Sequence, residues 1–379
     1  MKVVFTGSGT GGHFYPNIAV AEAIRSLSRE RRLLMPKLYY LAPSAFDQEA
    51  LFENEIQFIP CPAGKVRRYF SLMNFFDIFV TGTGYLCALF NLFRIYPDVV
   101  FSKGGYASVP AVLAAHTLGI PVMIHESDAK PGRANLLASK FAFRIAVTFD
   151  AVRPFFSKKV QDKIARTGIP IRRGVTQTES EGAKEELHLD PGVPTLLILG
   201  GSSGAQRIND MVLGSLPELL DLANVIHQTG RDNIKGVEAM ARIVLEKSAH
   251  PNRYHPFPYL SVLSLRRSAG AADLILSRAG MTTVAEISLW KKPAILVPIP
   301  ESVSHDQRTN AYAYASTGAA IVIEEGNLSP HVLVSEVRRL LEDKALRAQM
   351  AEKSSEFANA DAANIIAEEL ISIGLSHEK

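Results

Sequence analysis

Short unbroken runs of Val, Ile, Leu and Phe recur from one end of this chain to the other, each followed by a stretch of helical spacing. Runs at 2–7, 37–42, 56–60, 98–102, 121–125 and 144–148 come first, and a second series falls at 194–199, 224–228, 253–257, 273–277, 294–298 and 319–323. Most show no alternation of apolar with polar residues. That absence identifies strands covered by helices on both faces of a parallel sheet. The expected fold class is therefore α/β, built as two doubly wound Rossmann-like domains facing across a cleft. Length agrees, because 379 residues exceed the size at which a single core stops growing. Gly168-Ile-Pro-Ile171, followed by the polar stretch to Lys184, reads as the crossover between the halves, giving expected domains of 1–167 and 168–357.

The first run passes directly into Gly7-Ser-Gly-Thr-Gly-Gly-His13 and then Pro16. Glycines there let the backbone approach a ligand, and the following helix offers its N-terminal amides and dipole to an anion or a polyol. His13 closes this loop and puts a titratable imidazole beside whatever binds. Glycines 7, 9 and 12 also satisfy G-x-G-x-x-G, but a dinucleotide site needs an acidic residue at the end of the second strand. That strand ends in Pro43-Ser44, and the nearest acid, Asp47, already belongs to the next element. NAD or FAD binding is accordingly disfavoured. A net charge of +3 gives no argument for nucleic acid, and two cysteines without metal-ligand spacing suit a reducing compartment. The N-terminus reads as the first strand, so no signal peptide is expected.

Other strands end in loops of similar character. Phe101-Ser-Lys-Gly-Gly-Tyr106 brings glycines to a strand end, and His125-Glu-Ser-Asp128 gathers an imidazole and two carboxylates; either can equally be a cap or a turn. A second strand–glycine–helix unit opens at Thr195-Leu-Leu-Ile-Leu-Gly-Gly-Ser-Ser-Gly204. Ser277-Arg-Ala-Gly-Met-Thr-Thr-Val-Ala-Glu286 places a carboxylate about one turn inside a helix, where it can accept both hydroxyls of a ribose or simply face solvent. Between Lys65 and Arg94 the pattern breaks. Phe70, Phe75, Phe76, Phe79, Phe90 and Phe93 cluster there, with Lys65, Arg67, Arg68 and Arg94 around them. The sixteen uncharged residues between Asp77 and Arg94 fall just short of a spanning helix. Periodicity leaves two readings open, a core helix and an interfacial patch on anionic lipid.

Taken together, GTGGH, GGY, HE, IPIR, GGSSGA, SRAGMTTVAE and HDQRTNA resemble the MurG family of lipid I N-acetylglucosaminyltransferases, GT-B glycosyltransferases of family 28. The resemblance spans nearly the whole chain. It implies inverting transfer of N-acetylglucosamine from UDP-GlcNAc to the C4 hydroxyl of the MurNAc of lipid I, giving lipid II for peptidoglycan synthesis. It implies no tightly bound cofactor and no metal site, with UDP-GlcNAc a co-substrate and stimulation by a divalent cation left open. It further implies a last helix, about 358–379, that returns to the first domain. His13 would be the catalytic base, with Thr10, Gly11 and Gly12 at the sugars. Arg172 and Ser202 would meet the donor diphosphate and Glu286 the ribose. Arg278, Met281, Thr282, Thr283, Gln307 and Asn310 would complete the donor site, and Tyr106, Glu126 and Asp128 the rest of the substrate contacts. Because the acceptor is a lipid, the resemblance implies a peripheral protein on the cytoplasmic face of the plasma membrane, docked through Arg67, Arg68, Phe70, Phe75 and Phe76, with other cell-wall synthesis proteins as further partners.

Three departures stand out. The family pattern H-E-Q-N is His125-Glu-Ser-Asp128 here, G-N-P-V-R is Gly168-Ile-Pro-Ile-Arg172, and the second glycine loop has Ser203 for Gln. A physical difficulty accompanies His13, since a neighbouring diphosphate favours the imidazolium and opposes its use as a base; Glu126 or Asp128 would then share the task. Two alternatives remain, a related enzyme glycosylating diacylglycerol or another lipid, and a non-catalytic UDP-sugar-binding protein.

Overall fold

A computed structural model gives the architecture. It describes residues 1–65, 73–201, 204–246, 248–301 and 305–377, the side chains of residues 73, 74, 305, 306 and 377 excepted. Arg67, Arg68, Phe70 and Ser202 lie outside the described residues. The chain divides into two compact units, Met1–Arg172 with Asn359–Lys379, and Arg173–Ala358.

The first unit is a seven-stranded parallel sheet. Its strands are β1 (Lys2–Thr6), β2 (Lys37–Ala42), β3 (Ile56–Pro60), β4 (Val99–Ser102), β5 (Val122–Glu126), β6 (Arg144–Val147) and β7 (Ile164–Arg166), in the order β3-β2-β1-β4-β5-β6-β7. All pairs are parallel, and Thr6 lies opposite Ser102. Val3, Val4 and Phe5 are fully buried, as continuous apolar runs in a doubly covered sheet must be. β7, only three residues long at the sheet edge, has no apolar run and was not expected.

On one face the Gly11–Glu30 helix packs with Ala362–His377, whose Ile366, Ala367, Leu370 and Ile371 join the core beneath β1. Thus the C-terminal helix belongs to the first unit. The second unit holds six parallel strands: β8 (Thr195–Leu199), β9 (Asn224–Gln228), β10 (Tyr254–Phe257), β11 (Leu274–Ser277), β12 (Ala294–Leu296) and β13 (Ala320–Val322). Their order is β10-β9-β8-β11-β12-β13.

In both sheets the order reverses beside the first strand. Loops after β1 and β4 leave in opposite directions, as do those after β8 and β11, which opens a crevice at the carboxyl ends of the strands. Both glycine loops of the sequence sit at these switch points.

The aromatic segment forms the Met73–Ile95 helix, most of whose described side chains are uncovered. Only a narrow stripe is buried: Gly84, Ala88 and Leu92, at i, i+4 and i+8, face the Val109–Thr117 helix. Phe75, Phe76, Ile78, Phe79, Leu86, Phe90 and Phe93 are exposed, each at more than 60%. By length and composition Phe75–Ile95 is apolar enough to cross a membrane, and 17% of it is buried. It is nonetheless tied along its length to the unit. Gly64 N–H donates to Thr81 Oγ1 at 3.2 Å, Gly84 lies against the Pro62 carbonyl, and Lys2 Nζ donates to the Ile95 carbonyl at 2.6 Å.

Candidate active site

At the first switch point, Thr10 takes extended backbone angles and its carbonyl accepts from His13 N and Phe14 N at 3.0 and 2.9 Å, starting the helix. Thr10 and Gly12 are exposed, and Gly11 is buried. His13 therefore sits in the first turn, half-buried. Its Nδ1–H donates to the Lys103 carbonyl at 3.2 Å. A carbonyl can only accept, so the neutral ring carries its proton on Nδ1 and leaves the Nε2 lone pair free. Burial, and after it the Lys103 charge, brings the imidazole down to about 4. The unliganded site thus holds the uncharged ring that a base requires, which answers half of the difficulty raised by a diphosphate.

The second loop is locked against the first. Lys103 N–H donates to the Thr6 carbonyl at 2.9 Å, extending the β1–β4 ladder by one residue. Gly105 follows with φ +79° and ψ 165°, angles open essentially to glycine alone, and a Cβ there would lie 2.6 Å from Ser8. Tyr106 comes next, partly exposed, in a short 3-10 turn.

The β5 loop supplies carboxylates and is built around Glu126. That side chain, 3% exposed, accepts from Asp128 N at 3.0 Å, Gly132 N at 2.9 Å and Asn135 Nδ2 at 2.9 Å. Its carboxylate holds the 126–132 loop closed on the Arg133–Ala138 helix. Burial raises it to about 7, the Asp128 charge adding to the effect. Asp128 is partly exposed at the loop surface. His125 is fully buried and donates from Nε2 to the Gly168 carbonyl at 2.8 Å, fixing the start of the first crossover. Asn359 Nδ2 donates to the neighbouring Thr167 carbonyl at 3.1 Å, so the returning segment is pinned there too.

Arg172 closes this crossover. Its guanidinium stacks over the Tyr15 ring, 3.8 Å from the centroid, two residues along the helix from His13. Tyr15 Oη donates to Asp47 Oδ2 at 3.1 Å, and Asp47 Oδ1 caps the Gln48–Glu53 helix at Ala50 N. Asp47 is therefore occupied as a cap. Ile169, standing where the family pattern has Asn, is 3% exposed, and its side chain is packed as an apolar residue.

In the second unit, β11 ends at Ser277 and the Met281–Leu289 helix starts after Gly280, which has no side chain with which to cap it. Thr282, Thr283 and Glu286 are partly exposed on that helix, and Met281 is buried in its first turn. Gln307 bridges to the same place. Its Oε1 accepts from Ile299 N at 3.2 Å, and its Nε2 lies 4.0 Å from the position of a Cβ on Gly280. Asn310, one turn further, is 1% exposed and thus inside the unit. Arg278 is turned to Glu325 and donates to the Val297 carbonyl at 3.2 Å, so in this structure it braces the loop.

Lys103 was the important residue missed. It is 1% exposed and its Nζ donates to Ser127 Oγ at 2.8 Å. Asn135, also missed, joins Glu126 to the His125 carbonyl, 3.0 Å away. No sequence signal marks either, because a lone lysine or asparagine near a strand end reads as solvated until the fold covers it. Among the described residues no three His, Cys, Asp or Glu side chains gather as a metal site.

Known proteins share this arrangement. Residues 3–147 match the glycosyltransferase family 28 N-terminal domain and residues 195–366 the family 28 C-terminal domain. A UDP-N-acetylglucosamine--N-acetylmuramyl-(pentapeptide) pyrophosphoryl-undecaprenol N-acetylglucosamine transferase from Treponema denticola is 35% identical over 95% of this chain and 93% of its own length. Its counterpart from Clostridium kluyveri is 35% identical over 89% and 91%. Among solved structures, Acinetobacter baumannii MurG aligns with a TM-score of 0.72 at 25% identity, covering 98% of this chain and 99% of that one. A UDP-GlcNAc 2-epimerase from Neisseria meningitidis, 17% identical with a TM-score of 0.68, shares the fold. With both family domains matched in order and relatives aligned over nearly its full length, this chain belongs to glycosyltransferase family 28 and has the two-Rossmann-domain, GT-B architecture of that family.

Proposed function

We infer that this protein transfers N-acetylglucosamine from UDP-GlcNAc to the C4 hydroxyl of the MurNAc of lipid I, forming lipid II. The relatives named for this reaction cover the chain almost end to end. The observation that carries the chemistry is the His13 tautomer, with Nδ1–H fixed on a carbonyl and Nε2 free at a strand-order switch point. His13 Nε2 takes the proton of the C4 hydroxyl as that oxygen attacks the anomeric carbon from the side opposite UDP. The bond from the anomeric carbon to the diphosphate oxygen breaks, UDP leaves, and the configuration inverts.

Charge builds on the departing diphosphate. Arg172, held flat on Tyr15 near His13, is the cation assigned to it. Glu286 takes the ribose hydroxyls, and Gln307 and the start of the Met281–Leu289 helix take the donor sugar. No tightly bound cofactor is needed for this chemistry.

The exposed aromatic face of the Met73–Ile95 helix supplies the membrane contact. Its attachments to Gly64, Pro62 and Lys2 favour a helix lying on the bilayer over one crossing it, with Lys65 and Arg94 available to anionic headgroups. That surface suits a peripheral enzyme on the leaflet that presents lipid I, the cytoplasmic one.

Release of UDP from UDP-GlcNAc by purified protein, with lipid I, with diacylglycerol and with neither, tests the assignment. Release that depends on lipid I is expected. Release with diacylglycerol in its place would move the protein to glycolipid synthesis, and donor binding with no release on any acceptor would reject catalysis.

A further inference from the structure

Lys103 carries more of this site than its place in a glycine loop would indicate. A lysine buried to 1% normally needs paired charge, because removing an ammonium from water is costly. Here Nζ donates to Ser127 Oγ at 2.8 Å, and Glu126 and Asp128 are the charges that favour its protonated form, against the opposing effect of burial. The same residue reaches His13 in two ways. Its carbonyl accepts from Nδ1–H at 3.2 Å, and its charge, after burial, helps hold the ring below its usual range. Gly7 makes room for this contact, since a Cβ there would lie 3.1 Å from the His13 carbonyl and 3.5 Å from Lys103 Cβ.

We propose that Lys103 is a positioning residue for transfer: its carbonyl orients His13 with Nε2 free, and its buried ammonium, anchored on Ser127 and balanced by Asp128, offsets the field of the bound diphosphates at the ring. This rests on the reading of His13 as the base. Without the ammonium, substrate phosphates would draw a proton onto the imidazole and remove the base when it is needed. With it, two opposite fields meet at His13 and the ring stays uncharged near neutral pH. Asp128 then has a reason to be a carboxylate in place of the amide of the family pattern. It balances a buried cation.

The charged and titratable groups bearing on His13 are few. Lys103 comes from the β4 loop; Glu126 and Asp128 come from the β5 loop and act through Lys103; His125, also within the field of Lys103, ends β5; and Arg172, Tyr15 and Asp47 line the following turn of the same helix.

The test is the pH dependence of kcat at saturating UDP-GlcNAc and lipid I, whose acid limb reports the enzyme with its diphosphates bound. Lys103→Met keeps the carbonyl and removes the charge. It should move the acid limb to higher pH by about one unit, since one nearby cation is lost and the carboxylates are left uncompensated. Adding Asp128→Asn should move the limb back towards the wild-type position. Asp128→Asn alone should move it to lower pH. UDP affinity, for which Glu286 and the Met281–Leu289 helix are the assigned contacts, should stay within about twofold in all three.

An unmoved acid limb in a folded Lys103→Met protein that still binds UDP overturns the proposal. Should Lys103→Met not fold, Asp128→Asn decides alone: a limb at lower pH supports the proposal and an unmoved limb overturns it. Failure of the reaction assignment would look different. Wild-type protein would then release no UDP with lipid I, whereas here it is active and only the variants' profiles carry the answer.

Discussion

Replacing Gly105 by Ala should cost the first unit about 3 kcal/mol, and the figure follows from two separate geometric facts. First, φ +79° with ψ 165° lies in a region essentially closed to residues with a Cβ, at a cost of about 1–3 kcal/mol. Second, the new methyl would lie 2.6 Å from both Cβ and Oγ of Ser8, which is itself 5% exposed and has little room to withdraw. Overpacking of this kind adds about 1–3 kcal/mol. For a unit of this size each kcal/mol lowers Tm by about 2–4 °C, so a fall of roughly 6–12 °C is expected in the melting transition of the first unit. Gly119 provides the control. Its φ is +70°, but nothing lies within 4 Å of its Cβ position, so Gly119→Ala should show the backbone cost of a left-handed alanine alone, roughly 1 kcal/mol. Thermal melting of the two variants side by side, with the Ser8→Gly, Gly105→Ala double variant recovering the steric part, separates the contributions. If Gly105→Ala melted no lower than Gly119→Ala, the contact between the two glycine loops would not be what holds them, and the account of how His13 is placed would fail with it.

Other expectations concern the site, the exposed aromatic face and acid stability. His13→Gln should lower kcat by about 10²–10⁴-fold with little change in UDP affinity, measured by steady-state kinetics and calorimetry; full turnover would reject a base at this position. Phe75→Glu with Phe79→Glu should abolish flotation with anionic liposomes while preserving the melting temperature, since both rings are exposed, and wild-type binding should weaken as salt is raised. Four histidines are lowered by burial: His13 to about 4, His227 to about 3, His125 well below its usual range, and His255 below it. Each binds a proton more readily when unfolded, so their contribution is full above about pH 6.5 and is lost as pH falls towards 4 and then 3. Glu126, raised to about 7, acts in the opposite sense and loses its contribution as pH rises from about 4.5 to 7. His227, fully buried between Tyr254 Oη and Asn209 Oδ1 at 3.0 Å each, should carry about 3 kcal/mol of the acid sensitivity above pH 4.5. Urea unfolding of His227→Phe from pH 7.5 to 4.5 should therefore show a shallower fall than wild type, and an equal fall would refute it.

Local patterning was sufficient for the parallel strands and for the glycine loops, because a strand covered on both faces must be continuously apolar and a ligand-approaching turn must be rich in glycine. All twelve apolar runs are strands, within one or two residues at their ends, whereas β7 escaped notice because a three-residue edge strand needs no apolar run. The aromatic segment was ambiguous for a different reason. Helical spacing is the same whether the apolar face meets a core or a membrane, and only the packing of Gly84, Ala88 and Leu92 on the Val109–Thr117 helix shows that most of its phenylalanines are left uncovered.

His13, Arg172 and Glu286 are singled out by motif order and resemblance, yet the surroundings of His13 and Arg172 depend on neighbours far away in the chain. The layered α/β class, the two sheets, the glycine turns and the family are written in local spacing or in contiguous motifs. Which carbonyl fixes the His13 tautomer, that Glu126 holds a loop and that Lys103 is buried follow only from the assembled fold. Those outcomes turn on strand order, which brings residues about ninety positions apart within 3.2 Å and excludes the water that would otherwise solvate them.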